Sequence, residues 1–344
     1  MTTQLEQEIM SQPETIARLL DHEVQHIKKI VASLPSFQYI LIAARGSSDN
    51  AGIYAQYAWS TMAGYQVAMA TPSVQTLYHT SPRMTGALVV GISQSGQSPD
   101  IVAVLDEAKR QGRPTIAVTN DGTSPLAKAA DHVVELHAGV EKSVAATKTY
   151  TAQLAVMAIF AAVWSASEQH MTELHQLPEL LDATLQGSVS IQQKAERYRY
   201  LSYCSVIGRG YNYATAFELA LKLKELNYII TTPYSSADFR HGPIATIDEG
   251  EPVALILPSG AVLEDMLDLA RTLKERRAEL LIISDNASAL ELATTPLPLV
   301  RPAAEWLSPL SAIIPGQLLA MYTAMSRGYQ VDTPRGLNKI TLTN

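Results

Sequence analysis

The stretch Ile40–Ser47, with the sequence ILIAARGS, is a short apolar run that ends in a glycine turn. The same pattern returns at Tyr203–Tyr211, with the sequence YCSVIGRGY. The two turn glycines, Gly46 and Gly210, lie 164 residues apart. A strand-and-turn pattern that returns in this way indicates an internal repeat.

Two further pairs of turns have the same separation. Gly96 in LVVGISQSG maps onto Gly260 in ALILPSG, and Asp121 in TIAVTND maps onto Asp285 in LIISDN. Because three matched strand-and-turn units share one offset, the sequence predicts a duplicated domain.

Each repeat alternates short β-branched runs with helical patterns, such as Pro99–Gln111 and Ala214–Asn227. This alternation predicts βαβ units, and therefore a parallel sheet covered by helices on both faces. The predicted fold class is α/β, with two tandem domains of three αβα layers. We place the first domain, with its N-terminal helices, at 1–178, the second at 179–328, and a tail at 329–344.

The composition is typical of a compact globular protein, with 47% apolar and 17% charged residues among 344. A net charge of −7 disfavours nucleic acid and anionic membranes as partners. The single cysteine, Cys204, indicates a reducing compartment, and the first residues lack a secretory signal, so we expect a cytoplasmic protein. The longest apolar run, Leu154–Trp164, is shorter than the ~20 residues that cross a bilayer, and we expect a buried helix there.

The segment Gly91–Asp100, GISQSGQSPD, is the candidate anion site. Its serines crowd a glycine turn between a buried strand and a helix, where backbone N–H groups and the helix dipole favour a phosphate. Ser47 and Ser48 add a second hydroxyl cluster in the same repeat. The alternative is an ordinary loop with a helix cap. In the second repeat Pro258 removes a donor and most serines are missing, so we expect the anion site in the first repeat only.

Several motifs are similar to those of the sugar-isomerase (SIS) domain family. The chain resembles the isomerase half of glutamine–fructose-6-phosphate amidotransferase over nearly its full length. The matching stretches are RGSSDNAG, SQSGQS, VAATKTYT, GRGYNYATAFELALKLKELNYI, HGP and VDTPRGLNK. The ELALKLKE stretch followed by HGP, and the lysine near the C-terminus, are the most specific of these, whereas SQSG alone indicates only a SIS domain.

The resemblance implies a role for each of a set of side chains. Glu225 would move a proton between C1 and C2 of the open sugar, and Lys222 would supply positive charge beside the enolate. His241, from the neighbouring subunit of a homodimer, would open the ring. Lys339, in the tail that completes the site, would form a Schiff base with the keto sugar. The positions implied to cradle the sugar phosphate are Ser47, Ser48, Ser93, Gln94, Ser95 and Ser98.

Two pocket positions depart from the family pattern. Arg45 stands where the synthase has a cysteine, and Ala146 stands where it has a serine. Both changes put the identity of the sugar in question. We also expect that the glutaminase domain of the synthase is absent, because the sequence begins Met-Thr-Thr, and that the protein cannot take ammonia from glutamine.

Spacing alone leaves other interpretations open for the implied catalytic residues. Lys222 and Glu225 share one helix face, opposite a stripe of leucines, but a solvated ladder with Glu218 has the same spacing. His241 in the turn RHGP fits a proton shuttle near neutral pH, or an exposed turn. Lys339 needs a dry pocket to act as a neutral amine, and otherwise belongs to a solvated tail.

We expect no metal and no other cofactor. His22 and His26 have helical i, i+4 spacing but no third ligand nearby, and no HExxH motif, P-loop or dinucleotide fingerprint is found. The predicted activity is isomerising deamination of glucosamine 6-phosphate to fructose 6-phosphate and ammonia. The alternatives are a deaminase or deglycase for galactosamine 6-phosphate or fructosamine 6-phosphate, and a non-catalytic sugar-phosphate sensor.

Overall fold

The computed structural model describes residues 2–339 of the chain. Its ten strands are β1 (Tyr39–Ala43), β2 (Gln66–Met69), β3 (Ala87–Ile92), β4 (Thr115–Thr119), β5 (His132–Glu135), β6 (Tyr203–Gly208), β7 (Ile230–Ser235), β8 (Pro252–Ile256), β9 (Glu279–Ser284) and β10 (Thr295–Pro298). Its α-helices in the same residues are α1 (Gln4–Met10), α2 (Gln12–Ser33), α3 (Ser47–Ala63), α4 (Pro72–Thr76), α5 (Pro99–Arg110), α6 (Pro125–Ala129), α7 (Lys148–Ser165), α8 (Glu168–His175), α9 (Leu177–Gly187), α10 (Ile191–Ala195), α11 (Tyr213–Asn227), α12 (Ser236–Arg240), α13 (Leu263–Glu275), α14 (Ala287–Leu292) and α15 (Ser308–Ser326).

The strands form two five-stranded parallel sheets of the same topology. The first has the order β2-β1-β3-β4-β5 and the second β7-β6-β8-β9-β10. Each strand of the second sheet begins 163 to 165 residues after its counterpart in the first. The predicted α/β fold class with two tandem domains is therefore confirmed.

The chain divides into two compact units, each built around one sheet. The first unit holds β1–β5 and comprises Glu14–Glu141, Lys148–Gln176 and the last described residues, 338 and 339. The second unit holds β6–β10 and comprises residues 2–13, Lys142–Thr147 and Leu177–Leu337. The domain limits at 178 and 328 stay a prediction.

The core of the first unit lies between β3 and the helices that cover its sheet. All six residues of β3 are buried, as expected for a central strand of a parallel sheet. Gly91 in this strand lets helix α5 come close, since a Cβ there would lie 2.7 Å from the side chain of Leu105. Helix α7 is buried from Lys148 to Ala162, which confirms the helix expected over the longest apolar run.

The core of the second unit repeats this arrangement. Helix α13 packs its apolar face, including Leu269 and Leu273, with the buried side chains of β8 and β9. Helix α11 packs against α15, where Gly316 brings the helices close enough for a Cβ to meet Leu219 at 3.0 Å. No helix within residues 2–339 is long and apolar enough to span a membrane.

Candidate active site

The predicted phosphate loop joins β3 to α5 in the first unit. Gly96 adopts a left-handed conformation (φ 63°) that turns the chain, and its N–H donates to the Ser93 hydroxyl at 3.2 Å. The hydroxyls of Ser93 and Ser98 lie 3.5 Å apart. Ser98 is the N-cap residue of α5, yet its side chain makes no capping hydrogen bond. A turn of this kind presents hydroxyls and helix N–H groups to an anion.

The second hydroxyl cluster lies at the N-terminus of α3. Gly46, again left-handed (φ 57°), caps the helix without a side chain, and Ser47 and Ser48 form its first turn. Strands β1 and β3 pair directly, so the loops that follow them leave the same edge of the sheet. The structure therefore brings the two serine clusters to one edge, where sheets of this topology bind ligands.

Arg45 links these two loops. Its Nε donates to the fully buried carboxylate of Asp100 at 2.9 Å, and its own side chain is 47% exposed. Burial raises the pKa of Asp49, in the first turn of α3, while the nearby Arg45 guanidinium opposes the rise. A direct contact of Arg45 with substrate stays a prediction.

The second unit contains a counterpart of this link. Arg209, which is 164 residues after Arg45, donates to Asp265 at 3.3 Å. Burial of Asp265 works to raise its pKa, but the Ser236 hydroxyl and two arginines outweigh it, so the pKa lies below its usual value. Because the pair occurs in both units, it stabilises the loops whether or not a phosphate binds.

The turn that corresponds to the phosphate loop in the second unit is already filled by carboxylates. Asp285 accepts a hydrogen bond from the Ser259 N–H at 2.7 Å, and Glu305 accepts one from the Ala261 N–H at 2.9 Å. A Cβ on Gly260 would lie 2.2 Å from the Glu305 side chain. A phosphate there would meet two negative charges, which favours the first unit as the anion site.

Helix α11 of the second unit carries a buried ion triad. Lys222 Nζ lies 2.5 Å from a Glu225 oxygen and 3.3 Å from a Glu218 oxygen. The side chains of Lys222 and Glu218 are fully buried, whereas Glu225 is 22% exposed. Burial works to lower the pKa of Lys222, but the two carboxylates outweigh it and raise the pKa above its ordinary value. The solvated ladder that the spacing left open is excluded.

Glu225 is the member of the triad that a substrate can reach, because its side chain is partly exposed. Leu219, Leu223 and Leu226 are buried, as the sequence predicts for the opposite face of α11. The carboxylate of Glu225 is thus held at one oxygen by a buried ammonium while the side chain stays accessible. A carboxylate beside a fixed positive charge is what proton transfer next to a developing enolate requires.

His241 ends helix α12 of the second unit. It is the C-cap residue and is exposed, followed by Gly242 at φ 130°. Within residues 2–339, no side chain forms a hydrogen bond or ion pair with its imidazole. This is the exposed turn that the sequence allowed, and the ring is accessible.

Lys339 lies in the last described part of the chain and binds an acidic residue of the first unit. Its Nζ donates to Glu141 Oε2 at 2.6 Å, and its side chain is only 25% exposed. It is therefore not a solvated tail lysine. Ala146 is half-buried in the loop before α7, and Gln94 is half-buried after β3.

The contacts of Glu141 and Asp100 with candidate site residues were not predicted from the sequence. A signal for Glu141 exists, because it is the only acidic residue between Leu136 and Ser165. An isolated carboxylate in such an apolar stretch indicates a buried charge with a specific partner.

Comparisons with known proteins agree with this architecture. The SIS domain family matches residues 36–163 and 204–313. The glutamine–fructose-6-phosphate aminotransferase (isomerizing) of Zymomonas mobilis is 33% identical over 97% of this chain. The chain spans 58% of that relative's length.

Two solved structures are similar over nearly their whole length. The C-terminal domain of glucosamine-fructose-6-phosphate aminotransferase from Francisella tularensis has a TM-score of 0.85 at 27% identity, covering 97% of this chain and 99% of that one. A Silicibacter pomeroyi protein, provisionally assigned as a phosphosugar isomerase, has a TM-score of 0.85 at 33% identity, covering 96% and 99%. The resemblance seen in the sequence is confirmed.

The buried triad predicts an unusual stability defect. Lys222→Met should lower the free energy of unfolding by about 3–5 kcal/mol at pH 7.5, because it removes the cation that binds the buried Glu218 carboxylate. Urea denaturation measures the loss, which should shrink at pH 5, where protonating the carboxyl removes the uncompensated charge. Lys224→Met, an exposed neighbour on α11, is the matched control and should change stability by less than about 0.5 kcal/mol. Equal effects of the two variants would contradict the triad.

Proposed function

We propose, because this chain belongs to the SIS-domain family of phosphosugar isomerases, that it catalyses the isomerising deamination of glucosamine 6-phosphate. The products are fructose 6-phosphate and ammonia. The observation that carries the proposal is the accessible carboxylate of Glu225 held by the buried ammonium of Lys222.

The phosphate of the substrate binds the serine loops of the first unit. Ser93, Ser95 and Ser98 follow β3, and Ser47 and Ser48 begin α3. Two helix N-termini and several hydroxyls stabilise a dianion, and Arg45, which links the two loops, adds a positive charge nearby. The carboxylates that fill the corresponding turn of the second unit favour this single location.

Glu225 performs the proton transfer. In the open-chain aldehyde it removes the proton from C2, which gives an enolamine with the double bond between C1 and C2. Returning the proton to C1 leaves an imine at C2. The ammonium of Lys222 holds the Glu225 carboxylate in place for the first step and stabilises negative charge that develops on the substrate.

His241 opens the sugar ring by moving a proton between the ring oxygen and the C1 hydroxyl. Its exposure, and the absence of a partner for its imidazole within residues 2–339, support a role in the site of a neighbouring subunit. The active protein is then a homodimer at least.

Lys339 completes the release of ammonia. Its amine attacks the imine carbon C2, ammonia leaves, and a Schiff base to the enzyme remains. Water then hydrolyses the Schiff base to the ketone and frees the lysine. Atoms balance, since one water enters and one ammonia departs for each sugar.

Hydrolysis is the net direction that we propose. Cys204 is buried in β6, and burial raises its pKa to about 12. A thiol of this kind is not a thiolate near neutral pH and does not suit nucleophilic release of ammonia from glutamine. Hydrolysis needs only the sugar phosphate and water, whereas free ammonia is mostly protonated at neutral pH.

The proposal is tested by assaying ammonia and fructose 6-phosphate together in chelator-treated buffer without nicotinamide. We expect one of each per glucosamine 6-phosphate consumed, and slower reaction or none with galactosamine 6-phosphate and fructosamine 6-phosphate. If only fructosamine 6-phosphate is split, the protein is a deglycase. If several phosphosugars bind and none reacts, it is a sensor, and the proposal is wrong.

Replacing the base should separate binding from chemistry. Glu225→Gln is expected to lower kcat by ~10²–10⁴-fold, the usual contribution of a general base, with a KM close to that of the wild type. The matched control is Glu279→Gln, which removes a similarly exposed carboxylate that binds Arg197 away from helix α11. Normal turnover in Glu225→Gln would remove this residue from the mechanism.

Mixing two inactive variants tests whether His241 acts across subunits. His241→Ala chains and Glu225→Gln chains are each expected to be inactive, but exchanged dimers should recover activity, because one of their two sites carries neither change. Subunit exchange is verified by native mass spectrometry. No recovery in verified mixed dimers would place both residues in one subunit's site.

A further inference from the structure

Glu141 is a carboxylate of the first unit, and contacts other than the one with Lys339 hold its side chain in place. Its side chain is fully buried, and its oxygens accept hydrogen bonds from the Thr149 N–H at 3.1 Å and the Thr149 hydroxyl at 2.8 Å. Thr149 lies in the first turn of α7, where the helix dipole favours a negative charge. The neighbouring Lys148 Nζ holds the Val140 carbonyl at 2.9 Å, which anchors the same segment.

A buried carboxylate of this kind attracts a cation to one place. Removing a carboxylate from water costs several kcal/mol unless a positive group lies close to it. Lys339 provides that group at 2.6 Å, and the contact joins residues 198 positions apart in the sequence. Glu141 therefore determines where the terminal amine of the tail lies.

The contact between Lys339 and Glu141 also provides an acceptor for a proton of the lysine. An ammonium cannot form a Schiff base, so Lys339 must lose a proton before it attacks. Glu141 Oε2 lies within hydrogen-bond distance of that proton, which is the geometric requirement for a base. Transfer within this pair also cancels two opposite charges in a site that is largely closed to water.

We propose that Glu141 is the positioning residue of Lys339 and accepts its proton, an inference that rests on the proposed function. The proton moves from Lys339 Nζ to Glu141 Oε2, and the neutral amine forms its bond to C2 of the sugar imine. The bond from C2 to the departing nitrogen breaks, and ammonia leaves. Glu141 then gives its proton to the Schiff-base nitrogen, and hydrolysis of the protonated Schiff base by one water returns Lys339 as an ammonium.

The test compares Glu141→Gln and Glu141→Asp with the wild type. Glu23→Gln is the matched control, because Glu23 is a nearly buried carboxylate of the same unit that pairs with His137 at 2.7 Å. Lys339 is labelled with acetic anhydride between pH 6 and 11 and located by peptide mass spectrometry. Separately, fructose 6-phosphate and sodium borohydride trap the Schiff base on the same peptide.

We expect Glu141→Gln to increase the acetylation of Lys339 several-fold at a fixed pH, because the ion pair with Glu141 no longer holds the amine. Trapping and kcat should fall at least ~10-fold, with KM changed less than about threefold, since a lost proton acceptor affects chemistry more than binding. Glu141→Asp should restore part of the trapping, and Glu23→Gln should behave as the wild type.

Unchanged labelling and trapping in Glu141→Gln would overturn the inference. If both Glu141 variants fail to fold, the wild type decides: Lys339 labelled at the rate and pH of the exposed Lys28 would equally overturn it. The labelling result does not depend on turnover. A wild type that releases no ammonia therefore contradicts the proposed function, whereas unchanged labelling of Lys339 in Glu141→Gln contradicts the role of Glu141.

Discussion

Both units depend on one constraint, the parallel pairing of two strands at the point in the sheet where the strand order reverses. In each sheet the first strand of the unit pairs with the third, β1 with β3 and β6 with β8. The loops after these strands leave one edge of the sheet, and the helices that follow point their N-termini there. The serine clusters and both Arg–Asp links occupy these loops. The topology thus gathers polar groups from distant parts of each repeat.

Duplication supplied two equivalent loops, and different side chains gave them different capacities. The ion pairs Arg45–Asp100 and Arg209–Asp265 lie at corresponding positions of the two units. Hydroxyls surround the turn in the first unit, whereas the backbone N–H groups of the corresponding turn in the second are already bound by Asp285 and Glu305. The fold therefore provides the same edge twice, and in the second unit carboxylates already accept hydrogen bonds from the turn.

The strands and the duplication could be predicted because their signals are local. Short β-branched runs ending in glycine or aspartate turns recur at one separation, and each lies where the sequence indicates. The environment of Lys222 could not be predicted, since a salt bridge three or four residues apart on a helix has the same spacing whether it is solvated or buried. Helix α11 packs against α15, which begins more than eighty residues after Lys222, so its surroundings are set by distant sequence. The contact of Lys339 with Glu141 is even less local, so only its apolar surroundings in the sequence gave a hint.

Buried ion pairs are a poor way to stabilise a protein, yet two of those within residues 2–339 lie at residues to which the proposed mechanism gives a role. Replacing a buried ion pair by apolar side chains of similar volume is often neutral or stabilising, because desolvation offsets the attraction between the charges. The triad on α11 and the Glu141–Lys339 pair each include a fully buried carboxylate. In both, one member remains partly accessible: Glu225 in the triad and Lys339 in the pair. In both, a buried charge contacts an accessible charge of opposite sign, which gives little stability but fixes the position of the accessible group. It is the arrangement expected where a carboxylate must act as a base and an amine as a nucleophile.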